Sequence, residues 1–266
     1  MTDQYTSQFY AERKSGSSES AKVIVPLVLG LIQCSSVIDV GCGTGEWLSV
    51  FRENGVTDIL GVDGDYVDRD LLGIPGDRFL SRDLNSGFNL DRHFDLAVSL
   101  EVAEHLPPEG GERLVESLTT LSPIVLFSAA VPFQEGTNHI NEQWPDYWVE
   151  QFRRRDFVPL DCLRNKLWRH ERIDWWYAQN IMFYVRRDEL SKHPRLQEFY
   201  EGEFSEPLPI IHPSLWLHKT SRVASLEAEL ATARGKLQTL QTNPLFRILL
   251  SLYRMFSLNS LSRNSE

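Results

Sequence analysis

The sequence predicts an α/β fold: a mostly parallel sheet with helices on both faces, followed by a helical tail. Three observations carry this. Between residues 36 and 131, short apolar runs alternate with helical segments, the pattern of βαβ units. The first run, Val37-Ile38-Asp39-Val40, enters Gly41-Cys42-Gly43-Thr44-Gly45 directly, and Glu46-Trp47-Leu48 opens a helix behind it. The last run of the series, 123–131, is apolar nearly throughout, as in a strand buried on both faces.

The elements follow in order. Residues 1–35 read as a helical entry segment, and Val23–Ile32 is its most continuous apolar stretch. At ten residues, with Pro26 and Gly30 inside, it is too short to cross a bilayer and suits a helix packed on the sheet. Strands are expected at 57–63, ending in Asp63, at 79–84 with Asp83 near its end, and at 93–101. Pro108 and Glu109 mark a helix start, with Leu114, Leu118 and Leu121 as its apolar stripe. A helix over 145–153 opens on Pro145, and strands at 157–160 and 181–185 complete a domain spanning 36–190.

An irregular connector is expected over 191–221. Val223, Leu226, Leu230, Ala233, Leu237 and Leu240 then repeat three and four residues apart, a short heptad stripe over 222–242. That pattern suits a homodimeric coiled coil, or an amphipathic helix folded on its own domain. Residues 243–266 are apolar with Arg247, Arg254 and Arg263, the composition of a basic amphipathic helix. Such a helix can lie on an anionic membrane surface or in a partner's groove.

Bulk properties narrow the function. A net charge of −10 opposes broad nucleic-acid binding, which needs clustered Lys and Arg against phosphates. Cys34, Cys42 and Cys162 have unrelated spacings, so neither a disulfide framework nor a zinc site is expected. No secretory signal is read at the N-terminus, and a cytoplasmic protein, able to sit at the inner face of the membrane through its tail, is the expectation. Asp, Glu and His are scattered without ligand-like spacing, so no metal is expected.

The glycine loop is the chemical centre. Gly41, Gly43 and Gly45 give G-x-G-x-G, whereas a dinucleotide fingerprint requires G-x-G-x-x-G and position 46 is Glu. No Lys-Ser/Thr pair follows to cradle a triphosphate. Asp39, just before the loop, suits a ligand with a cationic amine, and Asp63 lies where an acid accepts from ribose hydroxyls. With Asp83, the 93–101 run and Glu104-His105-Leu106-Pro107, this order of motifs resembles the class I S-adenosylmethionine (SAM)-dependent methyltransferases over roughly residues 20–190.

The resemblance implies a Rossmann-like, seven-stranded sheet and SAM as cofactor. It also implies roles: the backbone of Gly41, Cys42, Gly43 and Gly45 around the methionine end, Asp39 toward its ammonium, Asp63 on the ribose. Asp83 and the Leu84 N–H would serve the adenine, Leu100 and Glu101 the methionine portion, and Tyr10 would close over the cofactor. For an alcohol acceptor a histidine is the expected base; His139, in the polar loop after the fifth strand, and His105 compete. The segments 138–148 and 175–180 also look like methyltransferase domains encoded with bacterial surface-polysaccharide enzymes. The implied reaction is O-methylation of a sugar hydroxyl in a glycan or glycolipid precursor. A methyltransferase for secondary metabolites, quinones or lipids, and a non-catalytic adaptor acting through the tail, are the alternatives.

Overall fold

A computed structural model describes residues 7–200, 209–246 and 248, with side chains from residue 16 onward. Two compact units result, Met1–His212 and Pro213–Glu266. In the first, helix α1 (Ser7–Leu31) buries Ala21, Ile24, Val25 and Val28 at three- and four-residue spacing, with Ile32 just beyond. The side chain of Tyr10 lies outside the described residues. Among the described residues no helix is long and apolar enough to cross a membrane.

Strand β1 (Ser36–Val40) leads through the glycine loop to α2 (Glu46–Glu53), then β2 (Asp58–Asp63), β3 (Phe79–Ser81) and β4 (Leu96–Leu100). Helix α3 (Pro108–Leu121), β5 (Ile124–Ser128), α4 (Pro145–Arg153) and β6 (Phe157–Leu160) follow. Short helices α5 (Arg164–Leu167) and α6 (Trp175–Asn180) precede β7 (Met182–Arg186). The seven strands form one sheet in the order β3-β2-β1-β4-β5-β7-β6, all parallel except β7, which runs antiparallel to β5 and β6. Alternate β1 side chains face opposite layers. Val37 joins α1 and α2 on one face, while Ile38 and Val40 join α3 and α4 on the other.

Two strands are shorter than expected, for local reasons. Chain pairing in β3 stops at Ser81 because the Asp83 carboxylate accepts from the Asn85 N–H and the Ser86 hydroxyl, turning the chain into a 3-10 turn at Leu84–Ser86. The β4 strand ends at Leu100 because Glu101 takes a left-handed φ of 56°, which breaks extended pairing.

The irregular connector is also shorter than 191–221. Helix α7 (Pro194–Gln197) buries Leu196, and α8 (Pro213–Thr242) begins at a proline, a residue pre-organised for the first helical position. Along α8, Val223, Leu226, Leu230, Leu237 and Leu240 are exposed. Of the basic tail 243–266, only 243–246 and 248 fall among the described residues.

The chain runs outward from β1 through β2 to β3, then returns to place β4 on the other side of β1. The loops leaving β1 and β4 therefore diverge at one point on the sheet's carboxyl edge, and a crevice opens between them.

Candidate functional site

That crevice is a cleft of about 1430 Å³. One drug-sized ligand fills roughly 300–1,000 Å³, so there is room for two reactants. Its floor is the glycine loop. Gly41, Gly43 and Gly45 all have left-handed φ (86°, 54° and 88°), a conformation that side chains resist. A Cβ at Gly41 would stand 2.3 Å from Val102 Cγ2, so glycine also permits close approach of the two loops.

Asp63 ends β2 and is 4% exposed. Its Oδ2 accepts from the Gly43 N–H at 2.7 Å, while Oδ1 accepts from the Gly64 N–H at 2.7 Å and the Tyr66 hydroxyl at 2.5 Å. The acid thus holds the glycine loop in shape. Burial nevertheless keeps its pKa raised, against the lowering effect of those donors. Tyr66 was not anticipated from the sequence; nothing marks a tyrosine three residues beyond an acid.

Asp39 is 3% exposed, and its pKa stands well above the carboxylate range because of burial and then the nearby charges of Asp63 and Glu46. The folded state thus retains a proton that the unfolded chain releases as pH rises through the ordinary carboxylate value. Stability of the ligand-free protein therefore falls with rising pH across that window. Asp39→Asn removes this cost, so its unfolding midpoint should exceed wild type by a few degrees near neutral pH, with the gain gone near about pH 4. Thermal unfolding at both pH values checks it; equal midpoints near neutrality would contradict the assignment.

Other expected residues divide between the cleft and its frame. Cys42, Asp83, Leu84, Leu100 and Glu101 all line it. Asp83 is exposed and serves as the cap of its own turn, its pKa lowered chiefly by the Ser86 hydroxyl. Of the clustered aromatics, Trp175, Trp176 and Tyr177 form one wall together with Trp47, whose ring meets Tyr177 edge-on at 5.2 Å. Trp148 instead packs in the core against Phe127.

The loop after β5 is strapped to the turn after β4. The Ile140 and Asn141 N–H groups donate to the Glu104 carbonyl at 2.9 and 3.1 Å, and Asn141 Nδ2 reaches the Ala103 carbonyl at 3.4 Å. Phe133, Glu135 and Asn138 in this loop hold left-handed φ, a strain found at sites where geometry is over-determined. Glu142 organises it, accepting from the Phe133 and Glu135 N–H groups at 2.7 Å each and lying 2.9 Å from His139 Nδ1.

The strap brings His139 against His105, ring centroids 4.9 Å apart and edge-to-face. Donor atoms of Glu104, His105 and His139 fall within 4.8 Å of one another, a grouping able to hold a cation. The adjacent pair Glu104-His105 and the sequence-distant His139, which show no ligand-like spacing along the chain, thus meet in space.

Glu104 is fully buried, and neither carboxylate oxygen makes a hydrogen bond of good geometry. Burial, then the adjoining Glu101, push its pKa well up, against the lowering effect of its own N–H and that of Ala130. Glu101 is held by Gln134 Nε2 at 2.8 Å and Asn180 Nδ2 at 3.1 Å.

Across the described residues lining the cleft there are eight Asp and Glu side chains and a single arginine, Arg82. Such a field draws a cationic ligand and repels a pyrophosphate.

Among solved structures, the chain is similar to CalS10, an amino pentose methyltransferase of Micromonospora echinaspora solved with SAM bound. Identity is 14%, with 68% of this chain and 97% of that chain covered, at a TM-score of 0.51. It is also similar to the magnesium protoporphyrin IX methyltransferase of Synechocystis PCC 6803, solved with SAH. There, identity is 16%, coverage 66% and 87%, and the TM-score 0.49. Likeness at this level speaks to the fold alone. No curated protein matches the chain. The family model described as a methyltransferase domain matches residues 9–190. By that match over most of the 266 residues, and with the fold and glycine loop in agreement, the chain belongs to the methyltransferase-domain family.

Proposed function

We propose that the chain transfers the methyl group of SAM to a hydroxyl of a sugar in a bacterial glycan or glycolipid precursor. The observation that carries the donor assignment is the cleft's charge: eight acids and one arginine around a left-handed glycine loop. SAM brings a sulfonium and an ammonium, both cations, and a carboxylate that suits backbone N–H groups at the start of α2.

In this reading Asp39, buried behind the glycine loop, serves the ammonium directly or through water, Asp63 the ribose once Tyr66 moves aside, and Asp83 with the Leu84 N–H the adenine. Leu100 and Glu101 flank the methionine portion. The acceptor occupies the remaining volume against Trp175 and Trp176, whose rings offer flat apolar faces of the kind sugars stack on. His139 and His105 border the place where the acceptor oxygen meets the methyl carbon. Transfer is an in-line displacement, so the protein's main task is alignment and exclusion of water. The exposed stripe of α8 supports self-association through 222–242 as part of the same proposal.

The test is methyl incorporation from labelled SAM by the full chain, offered nucleotide sugars, lipid-linked glycans, hydroxylated quinone precursors and phenolic metabolites. Label on a sugar oxygen, located by mass spectrometry, is the expected result. Label only on the aromatic acceptors would move the assignment to the secondary-metabolite or quinone class. SAM binding without turnover on any acceptor would favour a non-catalytic adaptor.

A further inference from the structure

We infer that Glu104, His105 and His139 form a binding site for a first-row divalent transition cation, placed to take the acceptor hydroxyl. The second half of that statement rests on the methyltransferase reading above; the first does not.

The geometry is close to ligating. Bonds from a cation to imidazole nitrogen or carboxylate oxygen are about 2.0–2.2 Å. Ligand atoms around one ion thus lie roughly 3–4 Å apart, and a separation within 4.8 Å closes by small side-chain movements. Glu104 supplies an independent reason to expect a ligand. It is wholly buried, lines the cleft, and has no well-formed hydrogen bond at either oxygen. An ionised carboxylate in that state is costly unless a cation or a proton joins it. Glu101 beside it is itself anchored by Gln134 and Asn180.

The outer shell is also in place. Metal-bound imidazoles commonly give their other ring N–H to a carboxylate, which sets the tautomer and raises basicity. Glu142 stands 2.9 Å from Nδ1 of His139 and is itself fixed by two backbone N–H groups. An Nδ1–H given to Glu142 leaves Nε2 as the ring atom for a cation. Gly136 has no room for a side chain, since a Cβ there would stand 2.2 Å from Nε2 of His139.

Two imidazoles favour a transition cation such as Co²⁺ or Zn²⁺ over Mg²⁺ and Ca²⁺, and three protein ligands leave positions open for an acceptor oxygen. An acceptor hydroxyl bound there loses its proton more readily, as metal-bound water does. The proton leaves to solvent, the oxygen lone pair forms the new C–O bond, and the C–S bond breaks to give a neutral thioether.

The full chain, stripped with chelator, is titrated with Mn²⁺ alone and with Co²⁺ alone, and separately with SAM. Expected are one ion per chain, visible Co²⁺ ligand-field bands, and at least about tenfold weaker binding in Glu104→Gln and His139→Ala. His139 lies in a surface loop, so that variant reports even if the buried Glu104 change prevents folding. Failure of both ions to bind a protein that still binds SAM would overturn the metal site and leave the methyltransferase reading intact. A Co²⁺ spectrum unchanged by His139→Ala would also overturn it. Ion binding without SAM binding would sustain the site and remove the reading.

Discussion

Asp63→Ala should weaken binding of SAM, and of its demethylated product, by about a hundredfold, or about 2.7 kcal/mol. The carboxylate is proposed to accept from the ribose, and it also anchors the glycine loop through Gly43 and the next turn through Gly64. Removing it takes the acceptor from two part-buried N–H donors and the Tyr66 hydroxyl, where each lost bond to a charged acceptor is worth up to about 1.5–3 kcal/mol. Asp63→Asn keeps one acceptor oxygen but turns an NH₂ toward a backbone donor, so its loss should be intermediate. Titration calorimetry supplies the affinities and thermal unfolding the folded fraction. A well-folded Asp63→Ala protein binding SAM within threefold of wild type would sink the placement of the donor.

The second large effect is at Gly41. Alanine there meets two penalties: a φ of 86°, costing about 1–2 kcal/mol, and a Cβ only 2.3 Å from Val102. Val102 begins the turn that carries Glu104 and His105, so relief of the clash must push the loops after β1 and β4 apart. Gly41→Ala should lower the unfolding midpoint by several degrees, at about 2–4 °C per kcal/mol, and weaken SAM binding more than tenfold. Gly55 provides the control. It has a similar φ of 95° but open space around its missing Cβ, so Gly55→Ala carries backbone strain alone. Differential scanning calorimetry separates them; a Gly41→Ala protein no less stable than Gly55→Ala would mean the loops do not need that close approach.

The glycine loop and its strand were legible because their signal is local. A run of apolar residues, three glycines and a helix start are all contained within residues 37–48, and each is forced by backbone chemistry over a few residues. The same holds for the helix over Pro145–Arg153, where the expected and observed bounds coincide. Strand ends were less legible. Asp83 and Glu101 both lay inside expected strands, yet one caps a turn and the other adopts a left-handed backbone. In each case a side chain or a tertiary contact outweighs β propensity.

The aromatic cluster shows the limit from another side. Trp148 and Trp175 were equivalent as letters, but α4 turns the first into the core and α6 places the second on the cleft wall. Only helix orientation distinguishes them.

By itself, then, the sequence determined the α/β class, the carboxyl-edge position of the glycine loop and the acids at the ends of β1 and β2. Periodicity and backbone sterics act over short spans and leave their mark in residue order. Tertiary structure alone decided that His139 meets Glu104 and His105 across more than thirty intervening positions. That meeting depends on the parallel pairing of β4 with β5 and on the hydrogen bonds that strap one loop to the other, and distances set by chain folding have no period to read.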